Sequence, residues 1–177
     1  AATAYCDGLK YLQKNMVEYK VSVFFCVPLL IESIYKKIML TVKKEGLEGK
    51  VKFGLKLSKL FMKFGIDVRR KLFKQILQQL GGNLRLVISG ASAIDPQAVE
   101  GFNQFGITAV QGYGMTEAAP MLAAEDSAER CPGSIGKAFP GIELAIDEPN
   151  ADGIGELIAR GPNIMSGYYE NPEETEK

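Results

Sequence analysis

The sequence contains no histidine. That absence removes Ser-His-Asp and Cys-His nucleophilic catalysis and every histidine-based metal centre. Chemistry on this chain must rest on carboxylates, hydroxyls, backbone groups, lysine and bound metal. Cysteine is scarce: Cys6, Cys26 and Cys131 are odd in number, far apart and never in CxxC spacing. A zinc site or redox dithiol is therefore not expected. Cys26 lies in an apolar run and reads as a buried thiol. A reducing, cytoplasmic setting fits this usage. No apolar run reaches the length of a membrane span; the longest, residues 21–31, is interrupted by Ser22 and Pro28. The amino terminus lacks the basic-then-apolar pattern of a signal peptide.

What is present is an ordinary globular composition, 46% hydrophobic and 24% charged over 177 residues. That length allows one domain with a core, or one domain with a small appendage. The net charge of zero hides an asymmetry. Residues 36–74 hold 13 lysines and arginines against 3 acids, whereas residues 86–177 hold 4 basic residues against 15 acidic ones. The basic stretch reads either as a solvated helical face or as an amphipathic surface for anionic lipid or an anionic ligand. No nucleic-acid partner is expected.

Leu9, Leu12, Met16 and Tyr19 recur at helical spacing and predict a first helix. Residues 21–27 are β-branched and aromatic, a short buried strand. Pro28 suits the first turn of a helix carrying Ile31, Ile34, Ile38 and Val42 on one face, with Gly46 and Gly49 breaking it. Leu57, Leu60, Phe61 and Phe64 predict another helix, stopped at Gly65. Asp67 caps the next, which uses Val68, Leu72, Phe73, Ile76 and Leu80 and ends at Gly81 and Gly82.

The pattern then changes. Residues 84–89 read as a strand. Asp95 and Pro96 start a helix with Val99, Phe102 and Phe105 on its apolar face. Gly106 ends it, and residues 107–111 form a second strand. Strand, helix, strand with short links is a βαβ unit with parallel strands. After Glu125, glycines and prolines punctuate short strand-like runs at 142–146 and 156–159, which predicts antiparallel structure with tight turns. Residues 170–177 read as a loop. The chain thus divides into an α/β region, residues 1–125, with inserted basic helices at about 30–82, and a β-rich segment, residues 126–177.

In open α/β sheets, ligands sit beyond the carboxyl ends of parallel strands. Two small-residue loops fall there: residues 89–93, and residues 112–117. Small side chains let backbone approach a flat or charged ligand. The second loop adds an aromatic face (Tyr113), a hydroxyl (Thr116) and a carboxylate (Glu117). A ring can stack on a purine, a hydroxyl can bond a phosphate oxygen, and a glutamate can hold Mg²⁺. The plainer alternative is that Tyr113 packs and Glu117 caps a helix.

The run Gln111-Gly112-Tyr113-Gly114-Met115-Thr116-Glu117 resembles the signature loop of the acyl-adenylate-forming (AMP-binding) superfamily of acyl-CoA synthetases, luciferases and peptide-synthetase adenylation domains. Residues 86–93 (LVISGASA) are similar to that family's upstream adenine-contacting loop. Gly155-Glu156-Leu157 and residues 161–169 are similar to its downstream glycine-rich element, and residues 21–29 to the strand beside its acyl pocket. The resemblance runs in order along nearly the whole chain. It departs at Ser92-Ala93, where many members carry Ala-Pro.

The resemblance implies the central part of the large α/β amino-terminal domain of an adenylate-forming enzyme, a parallel βαβ unit followed by a smaller antiparallel segment. Gly90, Ala91 and Ser92 would line one side of an adenine. Gln111, Gly112, Tyr113, Gly114 and Met115 would form the other, with Tyr113 stacking. Thr116 would contact phosphate and Glu117 would bind Mg²⁺. The substrates implied are ATP, giving AMP, together with CoA and a carboxylic acid. The long helical, basic stretch between Pro28 and Ser89 resembles long-chain fatty-acyl-CoA synthetases, which implies a fatty acid and peripheral membrane contact. Aryl-CoA ligases, peptide-synthetase adenylation domains and a non-catalytic nucleotide-binding or membrane-surface module are the rival readings. The family's phosphate-binding loop, its Thr-Gly-Asp element and its lid-domain lysine do not occur in these residues. Expectations that follow are inactivity of the isolated chain and self-association through exposed edges.

Overall fold

The computed structural model describes every residue except 1, 127, 128, 130, 132 and 177. The chain forms two compact units, Ala1–Val110 and Gln111–Lys177. The division precedes the compositional change after Glu125.

In the first unit, a 3-10 turn at Leu9–Tyr11 leads into α1 (Leu12–Glu18), and β1 (Val23–Cys26) follows. β1 is less buried than its apolar composition predicts. Phe24 and Cys26 pack on the core, but Phe25 is 72% exposed, because alternate strand residues face opposite sides. The Cys26 thiol is half-buried, and burial pushes its pKa up to about 11, against a smaller lowering from the Ile31 backbone. It is an inert protonated thiol. Pro28 opens α2 (Pro28–Lys44), whose Ile31, Ile38 and Val42 are buried.

Gly46, in the left-handed region at φ 66, ends that helix. Gly49 does not break anything: it lies inside α3 (Glu48–Met62). The helix expected from Leu57, Leu60, Phe61 and Phe64 is α3, but those residues do not form its buried face. Gly54 and Ser58 are its buried residues, while Leu60, Phe61 and Phe64 are exposed. Small residues sit inward because the Phe73 ring lies against Gly54, where an added Cβ would stand 3.2 Å from it.

The single helix expected after Asp67 is two, α4 (Arg69–Leu72) and α5 (Lys74–Gln79), interrupted at Phe73. Asp67 does accept the Arg69 backbone N–H at 3.0 Å and pairs with its guanidinium at 2.7 Å. The Arg69 side-chain hydrogen bond holds the Asp67 carboxyl below its ordinary value. A lowered folded-state pKa stabilises above the unfolded value and loses that contribution as pH falls through the folded one. The stability gap between wild type and Asp67→Asn should therefore be full at neutral pH, at most about 1 kcal/mol for so exposed a pair. It should close under acid, as read by urea midpoints at several pH values.

Arg70 turns inward. Its guanidinium donates to the carbonyls of Leu84 (2.7 Å), Gly106 (3.0 Å) and Gly82 (3.0 Å). One side chain thus ties the approaches to β2 (Leu86–Ser89) and β3 (Thr108–Gly114) together. β1 pairs in parallel with β2, Val23 opposite Leu86 through Cys26 opposite Ser89, and β3 is the next strand beyond β2. α6 (Pro96–Gln104) connects β2 to β3. The Asp95 side chain caps it by accepting the Gln97 N–H at 2.8 Å. Phe102 and Phe105 are buried with Ile31, Phe73 and Val87 in one core. Gly101 lets α2 approach, since a Cβ there would meet the Tyr35 ring at 2.1 Å.

In the second unit, β3 turns back into β4 (Met121–Ala124), antiparallel with Gly112 opposite Ala124, and β5 (Lys137–Ala138) pairs with β4. β6 (Glu143–Asp147) and β7 (Glu156–Arg160) form the expected antiparallel hairpin. The tail is not wholly loop: α7 (Pro172–Thr175) is a helical turn whose Asn171 side chain accepts the Glu174 N–H.

Candidate functional site

Gly90, Ala91 and Ser92 occupy the loop after β2, in the first unit, with Ala91 and Ser92 exposed. Ser89, just before them, is fully buried, and its hydroxyl has no partner. Ala91 adopts φ 77, a region that costs a residue with a Cβ roughly 1–2 kcal/mol. Ala91→Gly should therefore raise stability by about 1 kcal/mol, read as a higher denaturation midpoint.

The signature residues lie in the second unit, and their conformation differs from the expected loop. Gln111 lies in β3 as expected, but Gly112, Tyr113 and Gly114 are the end of that strand rather than a loop after it. Close approach explains why glycines serve there. A Cβ on Gly112 would meet the Met121 side chain at 2.7 Å, and one on Gly114 would meet the Pro120 carbonyl oxygen at 1.8 Å. The buried Gln111 is held through its backbone. Its N–H donates to Glu125 Oε2 at 3.1 Å, and its carbonyl accepts the Glu125 N–H at 2.9 Å. Glu125 is itself buried, and its Oε1 has no partner.

Met115 is 40% exposed. A single 3-10 turn, Thr116–Ala118, follows and is stopped by Ala119 in the left-handed region. Thr116 is exposed and Glu117 half-buried. Tyr113 is half-buried, between the packed and the stacking expectation.

Residues around 163–168 grip this turn. Asn163 Nδ2 donates to the carbonyls of Ala118 (2.6 Å) and Met121 (3.2 Å). The Met165 N–H donates to the Glu117 carbonyl at 2.8 Å. Tyr168 Oη donates to Glu117 Oε1 at 2.8 Å. Bonds from its own backbone N–H and then from Tyr168 hold the Glu117 carboxyl below the usual range, and the same contact raises Tyr168. The sequence reading missed Tyr168, Asn163 and Glu125 as site residues. Tyr168 stands 51 positions from Glu117, and nothing local to a Gly-Tyr-Tyr run points that far.

Glu117 is thus an anionic carboxylate at a turn, oriented by a neutral hydroxyl rather than neutralised by a cation. No group of three or more candidate ligands stands together among the described residues. A lone carboxylate suits Mg²⁺, which keeps several waters and binds through one or two carboxylates plus substrate phosphates. It does not suit a metal that needs a full protein cage.

A family model described as "AMP-binding enzyme" matches residues 3–169. The chain belongs to the AMP-binding enzyme family. Long chain acyl-CoA synthetase 6, peroxisomal, of Arabidopsis thaliana is 30% identical over 97% of this chain and 26% of the relative's length. 4-Coumarate–CoA ligase-like 4 of Oryza sativa subsp. japonica is 36% identical over 54% of this chain and 19% of its own length. In fold, the chain is similar to the crystal structure of the anthranilate CoA ligase AuaEII in complex with anthranoyl-AMP. The TM-score is 0.63 at 17% identity, over 96% of this chain and 28% of that one. The family member described here therefore spans about a quarter of the length of the long-chain relative. Its mixed α/β fold, with parallel strands and a small antiparallel sheet, is that of the amino-terminal domain of adenylate-forming enzymes.

Proposed function

We propose that the protein containing this chain is an ATP-dependent long-chain fatty acid–CoA ligase. The fatty carboxylate attacks the α-phosphate of ATP, giving acyl-AMP and pyrophosphate. The CoA thiolate then displaces AMP and forms the thioester. The observation that carries the adenylating half is the Glu117 carboxylate, anionic, partly exposed and aimed by Tyr168 at the turn of the β3–β4 hairpin. The acyl preference is supported by the long-chain relative and by the basic helices between Pro28 and Ser89.

In this reading Tyr113 offers its ring to the adenine, and Gly112 and Gly114 keep the strand free of side chains beside it. Thr116 hydrogen-bonds a phosphate oxygen, and Glu117 holds Mg²⁺. The metal, when bound, neutralises phosphate charge as it develops. The chain's own contribution is to fix where that metal and the base can sit.

A second reading, an aryl-CoA ligase, is favoured by the coumarate-ligase-like relative at 36% identity. Fatty-acid-dependent exchange of pyrophosphate into ATP by the full-length protein separates the two. Palmitate supporting exchange well above coumarate and anthranilate bears out the first reading. Exchange with the aryl acids alone overturns it in favour of the second.

A further inference from the structure

Tyr168 aims Glu117, and the groups that hold Tyr168 itself lie further along the chain. Gly167, just before it, sits at φ 146, a region glycine enters freely, so that side of the chain does not fix where the ring points. The constraint comes from the turn that follows. Thr175 Oγ1 accepts the Tyr168 N–H at 2.9 Å and donates to the Asn171 carbonyl at 2.8 Å. A hydroxyl has one proton and spare lone pairs, so both bonds form at once. The Asn171 N–H donates to the Tyr168 carbonyl at 3.3 Å, and the Asn171 side chain accepts the Glu174 N–H, also at 3.3 Å. The Thr175 methyl packs on Gly167, where an added Cβ would stand 2.5 Å from it. Tyr168 is thus tied at both its N–H and its carbonyl, and its Oη reaches Glu117 Oε1 at 2.8 Å. A tyrosine side chain has few torsions, so fixing its backbone fixes much of where the hydroxyl can go.

We propose that Thr175 is a positioning residue for the Glu117 carboxylate, acting through Tyr168. Hydrogen bonds run from Asn171 through Thr175 to the Tyr168 main chain, and from the Tyr168 hydroxyl to the carboxylate. Thr175 touches no reacting atom; what it supplies is direction. α7 buries no residue, so this turn supports no core of its own, and its hydroxyl is committed to the neighbouring segment. The consequence for metal binding rests on the reading of Glu117 as the Mg²⁺ carboxylate. The consequence for the contact between Tyr168 and Glu117 does not. Valine is the informative exchange, because it keeps the branched shape and the methyl against Gly167 and removes the hydroxyl. Serine does the reverse.

Two measurements on the full-length protein test this, both without turnover. The first is binding of Mn²⁺, which replaces Mg²⁺ at oxygen sites, with ATP present and no fatty acid. Thr175→Val should weaken it roughly two- to tenfold, the scale of one lost neutral hydrogen bond, and by no more than Tyr168→Phe does. Thr175→Ser should restore wild-type binding. In a Tyr168→Phe background, Thr175→Val should cost nothing further, whereas a merely structural role would cost the same in both backgrounds. The second measurement places fluorotyrosine at position 168 and reads its fluorine resonance without metal or nucleotide. Glu117→Ala marks the resonance of the broken contact. Thr175→Val should move the signal toward that mark, and Thr175→Ser should leave it in place. A resonance unmoved by Thr175→Val, or equal Mn²⁺ losses from it in both backgrounds, would overturn the proposal. A moved resonance with equal Mn²⁺ affinity in wild type and Glu117→Gln would uphold the role of Thr175 and overturn instead the assignment of metal to Glu117.

Discussion

Glu117→Gln in the full-length protein should lower pyrophosphate exchange on the order of 100-fold, the scale on which one lost electrostatic contact to a transferring phosphoryl group registers. The melting temperature should fall only slightly, because a partly exposed carboxylate held below its ordinary pKa adds little to stability. Glutamine keeps the shape, and the turn is held by bonds that the Glu117 side chain does not make: Met165 N–H to the Glu117 carbonyl and the Asn163 side-chain amide to the Ala118 carbonyl. What is lost is a charge in the place where metal is expected. Tyr168→Phe should do a fraction of the same damage. It keeps the ring and removes the hydroxyl that fixes Oε1, so the Mg²⁺ concentration needed for half-maximal exchange should rise several-fold while the rate at saturating metal recovers. A Tyr168→Phe enzyme with wild-type metal dependence would mean the hydroxyl does not orient Glu117.

The largest stability effect should come from Gly114→Ala. The added methyl would stand 1.8 Å from the Pro120 carbonyl oxygen, 2.7 Å from its carbon and 2.9 Å from Met121 Cα. All three are backbone atoms, so no side chain can swing aside. The strand must part from β4 at the point where the register already shifts between Tyr113 and Gly114. A destabilisation of about 2–4 kcal/mol is expected. Gly49→Ala is the contrast. Gly49 lies in the first turn of α3 with nothing within 4 Å of a new Cβ. Exchange for a better helix former should be neutral or stabilising by up to about 1 kcal/mol. Equal losses in the two variants, read as urea midpoints, would show that backbone approach at Gly114 is not what demands glycine.

These two glycines show what the sequence made legible and what it did not. The Asp95-Pro96 start and the Gly106 stop of α6 were readable because capping is local chemistry. The signature run was readable as a set of residue types. Its backbone was not: Gly-Tyr-Gly looks like a loop because glycine weakens strands, and only the nearness of Pro120 and Met121 makes glycine the residue that a strand needs here. α3 failed for a related reason. Leu57, Leu60, Phe61 and Phe64 have helical spacing, but spacing does not say which row meets the core. Phe73 fills the space against Gly54 and leaves Phe53, Leu60 and Phe64 outside. Residues 161–169 are marked in the sequence only by resemblance; that Tyr168 and Asn163 reach the Glu117 turn from there is a long-range contact that no local pattern shows.

The most direct test is metal binding itself, measured without turnover. Mn²⁺ replaces Mg²⁺ at such oxygen sites, and its spin-resonance signal separates free from bound ion. With ATP present and no fatty acid, the full-length wild type should hold Mn²⁺ several-fold more tightly than Glu117→Gln, with Tyr168→Phe between them. Equal Mn²⁺ affinity in wild type and Glu117→Gln would contradict the account, because the carboxylate that Tyr168 aims would then hold no metal.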